Sequence, residues 1–137
     1  MKTLIIYYSY TGKTRTIAEE LAKKESADIV EVKEKKKRSK FNAYIIGSFT
    51  AMRQKKADLE SFNIDFSEYE KIIIAMPIWA GFPAPAFNNV LELLPNDKTV
   101  ELIMTSGSGK STGSAEKSKE LVTLRKCTVV KYRDIKT

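Results

Sequence analysis

Two stretches of the chain are apolar without interruption, Leu4 to Tyr8 and Ile72-Ile73-Ile74 within Lys71 to Met76. A strand that shows one face to water alternates polar with apolar residues, so strands that do not alternate are covered on both faces, as in a parallel sheet. Parallel neighbours need a crossover long enough to hold a helix, and amphipathic stretches stand where the crossovers are required. Ile17, Ala18, Leu21 and Ala22 share one helical face, and Glu19 and Glu20 each precede a lysine, Lys23 and Lys24, by one turn. Phe41, Tyr44, Ile45, Phe49 and Met52 recur at helical spacing, with Arg53 to Lys56 placing positive charge at the C-terminal end. Phe87, Val90, Leu91 and Leu94 form a third stripe, with Pro83 and Pro85 at its entrance and Pro95 at its exit.

A fourth helix is predicted from Ser114 to Leu124. Further strands are predicted from Asp28 to Lys33, with one side partly wet and so near a sheet edge, from Thr99 to Thr105, and from Thr128 to Tyr132. Residues 57–69 show no period and form the longest connection, and Pro77 is expected to end the third strand. The order is β-α-β-α-β-α-β-α-β. That pattern implies an α/β fold with a parallel sheet, right-handed crossovers and helices on both faces. At 137 residues the chain is one domain, 1–137, with one core.

Lys2 and the short apolar run after it are broken by Ser9 with no small-residue cleavage site following, and no apolar stretch reaches spanning length. A cytoplasmic protein without a membrane span is therefore expected. The chain has no histidine and one cysteine, Cys127. This removes zinc clusters, intrachain disulfides and Ser-His-Asp or Cys-His catalysis together, so any chemistry is expected to be carried by a cofactor. No residue is assigned as catalytic or as a metal ligand. The net charge is +7, with a dense run in Lys33, Lys35, Lys36, Lys37, Arg38 and Lys40. The run lacks interleaved aromatics and no nucleic-acid motif accompanies it, so it reads as a solvated surface and no nucleic-acid partner is expected.

In parallel sheets ligands gather at the carboxyl ends of strands where strand order reverses, and three loops leave strand ends there. The first is Ser9-Tyr10-Thr11-Gly12-Lys13-Thr14, between an all-apolar strand and a helix start. It can aim backbone N–H groups, hydroxyls and the positive end of the helix dipole at one phosphate, with Gly12 permitting close approach. Read alone, it fits equally a plain strand-to-helix turn with a capping threonine. The second loop is Pro77-Ile78-Trp79-Ala80-Gly81, where the indole offers a flat stacking face. The third is Thr105-Ser106-Gly107-Ser108-Gly109, whose small side chains leave backbone N–H groups accessible. Gly12-Lys13-Thr14 and Gly109-Lys110-Ser111 imitate the end of a nucleotide-triphosphatase P-loop, but Tyr7 and Met104 stand where its leading glycine belongs.

Taken in order on these elements, the three loops resemble the flavodoxin-like family across nearly the whole chain. Residues 9–14 are similar to its S/T-x-T-G-x-T phosphate loop for FMN, Tyr69 to Gly81 to its third strand and ring-packing loop, and Thr105 to Gly109 to its pyrimidine-side loop. The resemblance implies a three-layer sandwich with a five-stranded parallel sheet in the order 2-1-3-4-5. It implies FMN held by residues 9–14 at the phosphate, Trp79 on the ring, the Ala80-Gly81 peptide near flavin N5, and residues 105–109 at the pyrimidine edge. The implied role is an electron carrier, or an FMN-dependent oxidoreductase of quinone-reductase type. The alternative is a domain of the same fold serving without flavin as an interaction or signalling module.

Three features depart from the family pattern. The third loop lacks the second aromatic that often covers the ring. The charge of +7 contrasts with typically acidic carriers, and so points to an acidic redox partner. The chain stops at Thr137 where the family usually adds a final helix, so that helix is expected to be missing and a homodimer through the face it would cover is anticipated.

Overall fold

The computed structural model describes residues 2–37, 39, 42, 46, 47, 51 and 55–137. Among these, β1 (Lys2–Tyr7), α1 (Lys13–Glu25), β2 (Asp28–Glu31), a short 3-10 turn (Phe66–Glu68), β3 (Tyr69–Trp79), β4 (Phe82–Pro83), α2 (Ala86–Leu93), β5 (Thr99–Ser106), α3 (Thr112–Leu124) and β6 (Thr128–Lys136) follow one another. The helix expected from Phe41, Tyr44, Ile45, Phe49 and Met52 falls on residues outside the described ones. No helix of the described residues is long and apolar enough to cross a membrane.

The main sheet is parallel and runs β2-β1-β3-β5-β6, with β4 an antiparallel appendage of β3. With that two-residue strand set aside, the order is the expected 2-1-3-4-5. The uninterrupted apolar runs are explained by cover on both sides. Leu4, Ile6, Ile72, Ile74, Leu102 and Met104 pack on one face with Phe87, Val90, Leu91 and Val122 from α2 and α3. Ile5, Tyr7, Ile73, Ala75 and Ile103 pack on the other, against Ala18, Ile17 and Leu21 of α1.

Two sequence expectations are corrected. Pro77 does not end the third strand, which continues to Trp79. Ala75 still exchanges a hydrogen bond with β1, since Tyr8 N donates to Ala75 O. Two residues on, β1 has turned away, so nothing requires the N–H that proline lacks, and the Pro77 carbonyl accepts Ala84 N at 2.9 Å instead. The last strand is also longer than Thr128 to Tyr132 and is bulged. Val100 pairs with Val129 but Glu101 pairs with Lys131, leaving Val130 as the extra residue, and it is 57 % exposed. The bulge, rather than simple alternation, lets both Val129 and Tyr132 face the larger core.

At the amino ends of the strands, Tyr69 Oη donates to Asp28 Oδ2 at 2.6 Å and joins β3 to β2 across β1. That bond to a carboxylate pushes the Tyr69 pKa from 10.0 up to about 12. A tyrosine whose pKa is higher in the folded state contributes stability that is complete below pH 10 and disappears as pH rises to about 12. Urea midpoints measured through this window are expected to show wild type losing its advantage over Tyr69→Phe. A constant difference between the two would remove the bond from the stability balance.

Candidate functional site

The turn after β1 is built by one serine. Ser9 Oγ accepts from Gly12 N at 3.0 Å and from Arg15 N at 3.2 Å, folding the chain back so that α1 begins at Lys13. Gly12 sits at φ 97°, a left-handed conformation that side chains resist, and it caps the helix with no side-chain bond. Its carbonyl takes Thr16 N at 3.1 Å. Of the helix's opening donors, Gly12 and Arg15 are therefore used by Ser9. The N–H groups of Lys13 and Thr14 have no acceptor among the described residues. Ser9 thus acts first as the frame of the loop.

Thr14 is buried, and its Oγ1 lies 2.8 Å from Thr105 Oγ1 at the end of β5, tying the first loop to the third. The third loop is closed by its own serines. Ser106 Oγ accepts Gly109 N at 2.9 Å, Ser108 Oγ accepts Lys110 N at 3.2 Å, and Ser106 O accepts Thr137 N at 2.8 Å. It is an organised turn, not a loose Gly/Ser tract. Gly109 adopts φ 71°, and a Cβ there would stand 2.9 Å from Lys136 Cβ and 3.4 Å from its Cα. Gly109→Ala combines a left-handed alanine with this collision, and is expected to lower stability by about 2 kcal/mol. Thermal unfolding checks this, and an unchanged melting point would show that β6 yields freely.

Trp79 ends β3 half-buried, its ring edge-on to Tyr8 at 5.9 Å and to Tyr10 at 6.1 Å. Lys37 Nζ lies 5.8 Å from the centre of the Tyr10 ring. Ala80 at φ 53° and Gly81 at φ 86° form the two-residue turn between Trp79 and Phe82, the positive-φ pattern of a tight hairpin.

A cleft of about 180 Å³ brings the three loops together. Tyr10, Thr11, Lys13 and Thr14 come from the first, Pro77, Ile78 and Trp79 from the second, and Thr105, Ser106 and Gly107 from the third, with Thr137 beside them. Ser9 and Gly12 support this lining from behind. Ala80 and Gly81 lie on the hairpin tip outside it, and Ser108 and Gly109 shape the third loop from outside. Thr137 was not foreseen, because its place depends on β6 running past Tyr132. A larger cavity of about 300 Å³ opens on the other side of Tyr10 and Thr11, toward Arg15, Glu31, Lys33, Glu34 and Glu60. It touches neither the second loop nor the third, so the smaller cleft is the candidate site. In the larger cavity Arg15 Nη2 holds Glu31 Oε2 at 2.6 Å while Tyr7 Oη donates to Glu31 Oε1 at 3.1 Å. Burial first, then the Glu31 charge, raises the Tyr7 pKa, and the bonds to Glu31 hold Arg15 firmly protonated. Among the described residues there is no group of acids and cysteines able to hold a metal ion.

A flavodoxin family model matches residues 2–134. A flavoprotein from Lactobacillus acidophilus NCFM, crystallised in complex with FMN, is 26% identical, with a TM-score of 0.81 over 97% of this chain and 93% of that one. The apo-form of the flavoprotein from the same organism, solved by NMR, is 27% identical, with a TM-score of 0.73 over 98% and 92%. A Fusobacterium nucleatum flavodoxin variant bound to flavin mononucleotide shares the fold at 20% identity, with a TM-score of 0.54 over 95% and 68%. Comparison with curated proteins gives no match. With the matched region running from β1 to β6 and the three loops meeting in one cleft, the chain belongs to the flavodoxin family.

Proposed function

We propose that this protein binds FMN in the three-loop cleft and transfers electrons between redox partners. The observation that carries the reading is the pair of unsatisfied amides, Lys13 N–H and Thr14 N–H, at the positive end of α1 beside the Thr11 hydroxyl in a cleft that also holds Trp79. A phosphate fits that donor set because it brings acceptor oxygens and negative charge to donors the protein leaves unused. The FMN complex of the Lactobacillus acidophilus flavoprotein supports the same cofactor here.

In this reading Thr11, Lys13 and Thr14 hold the phosphate, with Ser9 and Gly12 shaping the turn. Trp79 flanks the ring, its own orientation fixed by Tyr8 and Tyr10. Thr105, Ser106 and Gly107 offer backbone groups to the polar edge of the ring. When bound, the flavin supplies one- and two-electron chemistry, and the chain's residues position it and set its surroundings. A sequence without histidine is consistent with a role that needs no protein acid or base.

The test is titration of the flavin-stripped protein with FMN and, separately, with riboflavin, following flavin fluorescence. Tight binding of FMN with much weaker binding of riboflavin supports the cradle. Binding of neither overturns the reading and leaves an interaction module without flavin.

A further inference from the structure

We infer that the mouth of the FMN cleft is a docking surface for an acidic protein face, an inference that rests on the FMN reading for its functional meaning. All the main strands point the same way, so their carboxyl ends share one end of the molecule. That end carries Lys13 after β1, Lys36 and Lys37 after β2, Lys110 after β5 and Lys136 at the end of β6, all exposed. Lys13 lines the cleft, Lys37 lies over the ring of Tyr10, and Lys136 packs beside Gly109. Among the described residues Lys13, Lys36, Lys110 and Lys136 make no ion pair.

Two of the acids at the same end are paired with cations and two are hydrogen-bonded by hydroxyls. Glu31 is held by Arg15 and Tyr7, Asp58 by Lys35 at 3.4 Å, Glu34 by the Tyr8 hydroxyl, and Asp134 by Ser111. Glu34 and Asp134 accept from uncharged hydroxyls and keep their charge, so with Glu60 they set three acids against the five lysines of the collar. The opposite end holds Glu25, Asp28, Glu68, Glu70 and Asp97 around the amino ends of the strands, with Lys2 paired to Glu68, Lys71 paired to Glu25, and Lys23, Lys24, Lys98 and Lys126 beside them. Part of the net charge of +7 therefore stands as a collar of lysines without ion pairs around the cleft. Such a field steers a negatively charged surface toward the one place where a bound redox group meets solvent. The aromatics beside the collar, Tyr10 and Trp79, are packed edge-on against each other, so an acidic protein suits the collar better than a nucleic acid, which needs open stacking faces.

The test uses probes of known charge. Holoprotein carrying reduced FMN is mixed with ferricyanide, a trianion, or with hexaammineruthenium(III), a trication; each ion accepts one electron from the flavin. Rates are followed against ionic strength. The ferricyanide rate is expected to fall by about tenfold or more from low to physiological salt, and the ruthenium rate to rise. A variant with Lys36→Glu, Lys110→Glu and Lys136→Glu reverses both trends. A control with Lys2→Glu, Lys23→Glu and Lys126→Glu, of equal net charge, keeps the wild-type trends.

Equal slopes for the two probes, or equal responses of the two variants, overturn the proposal. A second arm titrates the flavin-free protein with poly-L-glutamate at low salt. Loss of binding in the collar variant but not in the control supports the surface even if FMN fails to bind, which separates this inference from the FMN reading. Tighter capture of double-stranded DNA than of poly-L-glutamate by the collar would overturn it in favour of a nucleic acid.

Discussion

FMN is expected to bind about a thousandfold more tightly than riboflavin, because two charge-assisted bonds from the Lys13 and Thr14 amides contribute about 1.5–3 kcal/mol each and riboflavin makes neither. Gly12→Ala should erase most of this preference. An added Cβ meets nothing closer than Arg15 Nη1 at 4.0 Å, so space is not the obstacle. The obstacle is φ 97°, where an alanine costs about 1–2 kcal/mol if the loop holds its shape. If the loop relaxes, Gly12 N leaves Ser9 Oγ, the Thr16 bond to Gly12 O is lost, and the two free amides no longer converge. FMN affinity is expected to fall about a hundredfold while riboflavin affinity changes by less than about threefold, since the ring loops are untouched. Calorimetric titration of both flavins on both proteins gives the answer. Equal losses for the two flavins would mean that Gly12 supports the fold and not the phosphate site.

The sheet was legible because burial on both faces leaves an unmistakable mark. Leu4 to Tyr8 and Ile72 to Ile74 carry no alternation, and they mark β1 and the central strand β3, each with a neighbour on both sides. What was not legible depends on when a neighbour leaves. Pro77 forbids a ladder bond only if a partner strand is there to share it, and nothing in the residues around Pro77 says that β1 has already turned away. The bulge at Val130 is hidden for the same reason, because Val129, Val130 and Tyr132 are all acceptable on an apolar face until the partner strand fixes the register.

At the site, the three loops were legible from their small and hydroxyl residues, but the division of labour within them was not. Ser9 and Ser106 look like ligand donors in sequence and serve in the structure as caps for their own turns, at 3.0 Å from Gly12 N and 2.9 Å from Gly109 N. Ala80 and Gly81 look like part of the ring loop, yet the short β4 strand carries them to a hairpin tip. A pairing of only two residues, containing a proline, gives no periodic signal from which this could be read.

Glu101 supports a prediction whose sign is easily mistaken. Its carboxylate is buried on the α1 face of β5, with its side chain only 4% exposed. Lys71 Nζ is 3.4 Å from Oε1 and Arg133 Nη1 3.6 Å from Oε2, yet Oε2 accepts no hydrogen bond. The two cations are placed differently, 32% and 39% exposed, and Lys71 also meets Glu25 at 3.4 Å. Removing the acid therefore strands nothing, because Arg133 can extend into water and Lys71 retains a partner. Glu101→Leu, which fits the surrounding isoleucines, is expected to be neutral or stabilising by about 1–2 kcal/mol. Removing both cations does strand a charge. Lys71→Met with Arg133→Met leaves a buried carboxylate with no counter-ion and is expected to cost about 3–5 kcal/mol, with the half-exposed Lys71–Glu25 pair contributing at most about 1 kcal/mol of that. Adding Glu101→Leu to the double variant should restore most of the loss, since the stranded charge is then gone. Urea unfolding of the four proteins measures the asymmetry. If Glu101→Leu alone is as damaging as the double variant, the carboxylate is itself a net source of stability, and the desolvation argument fails for this site.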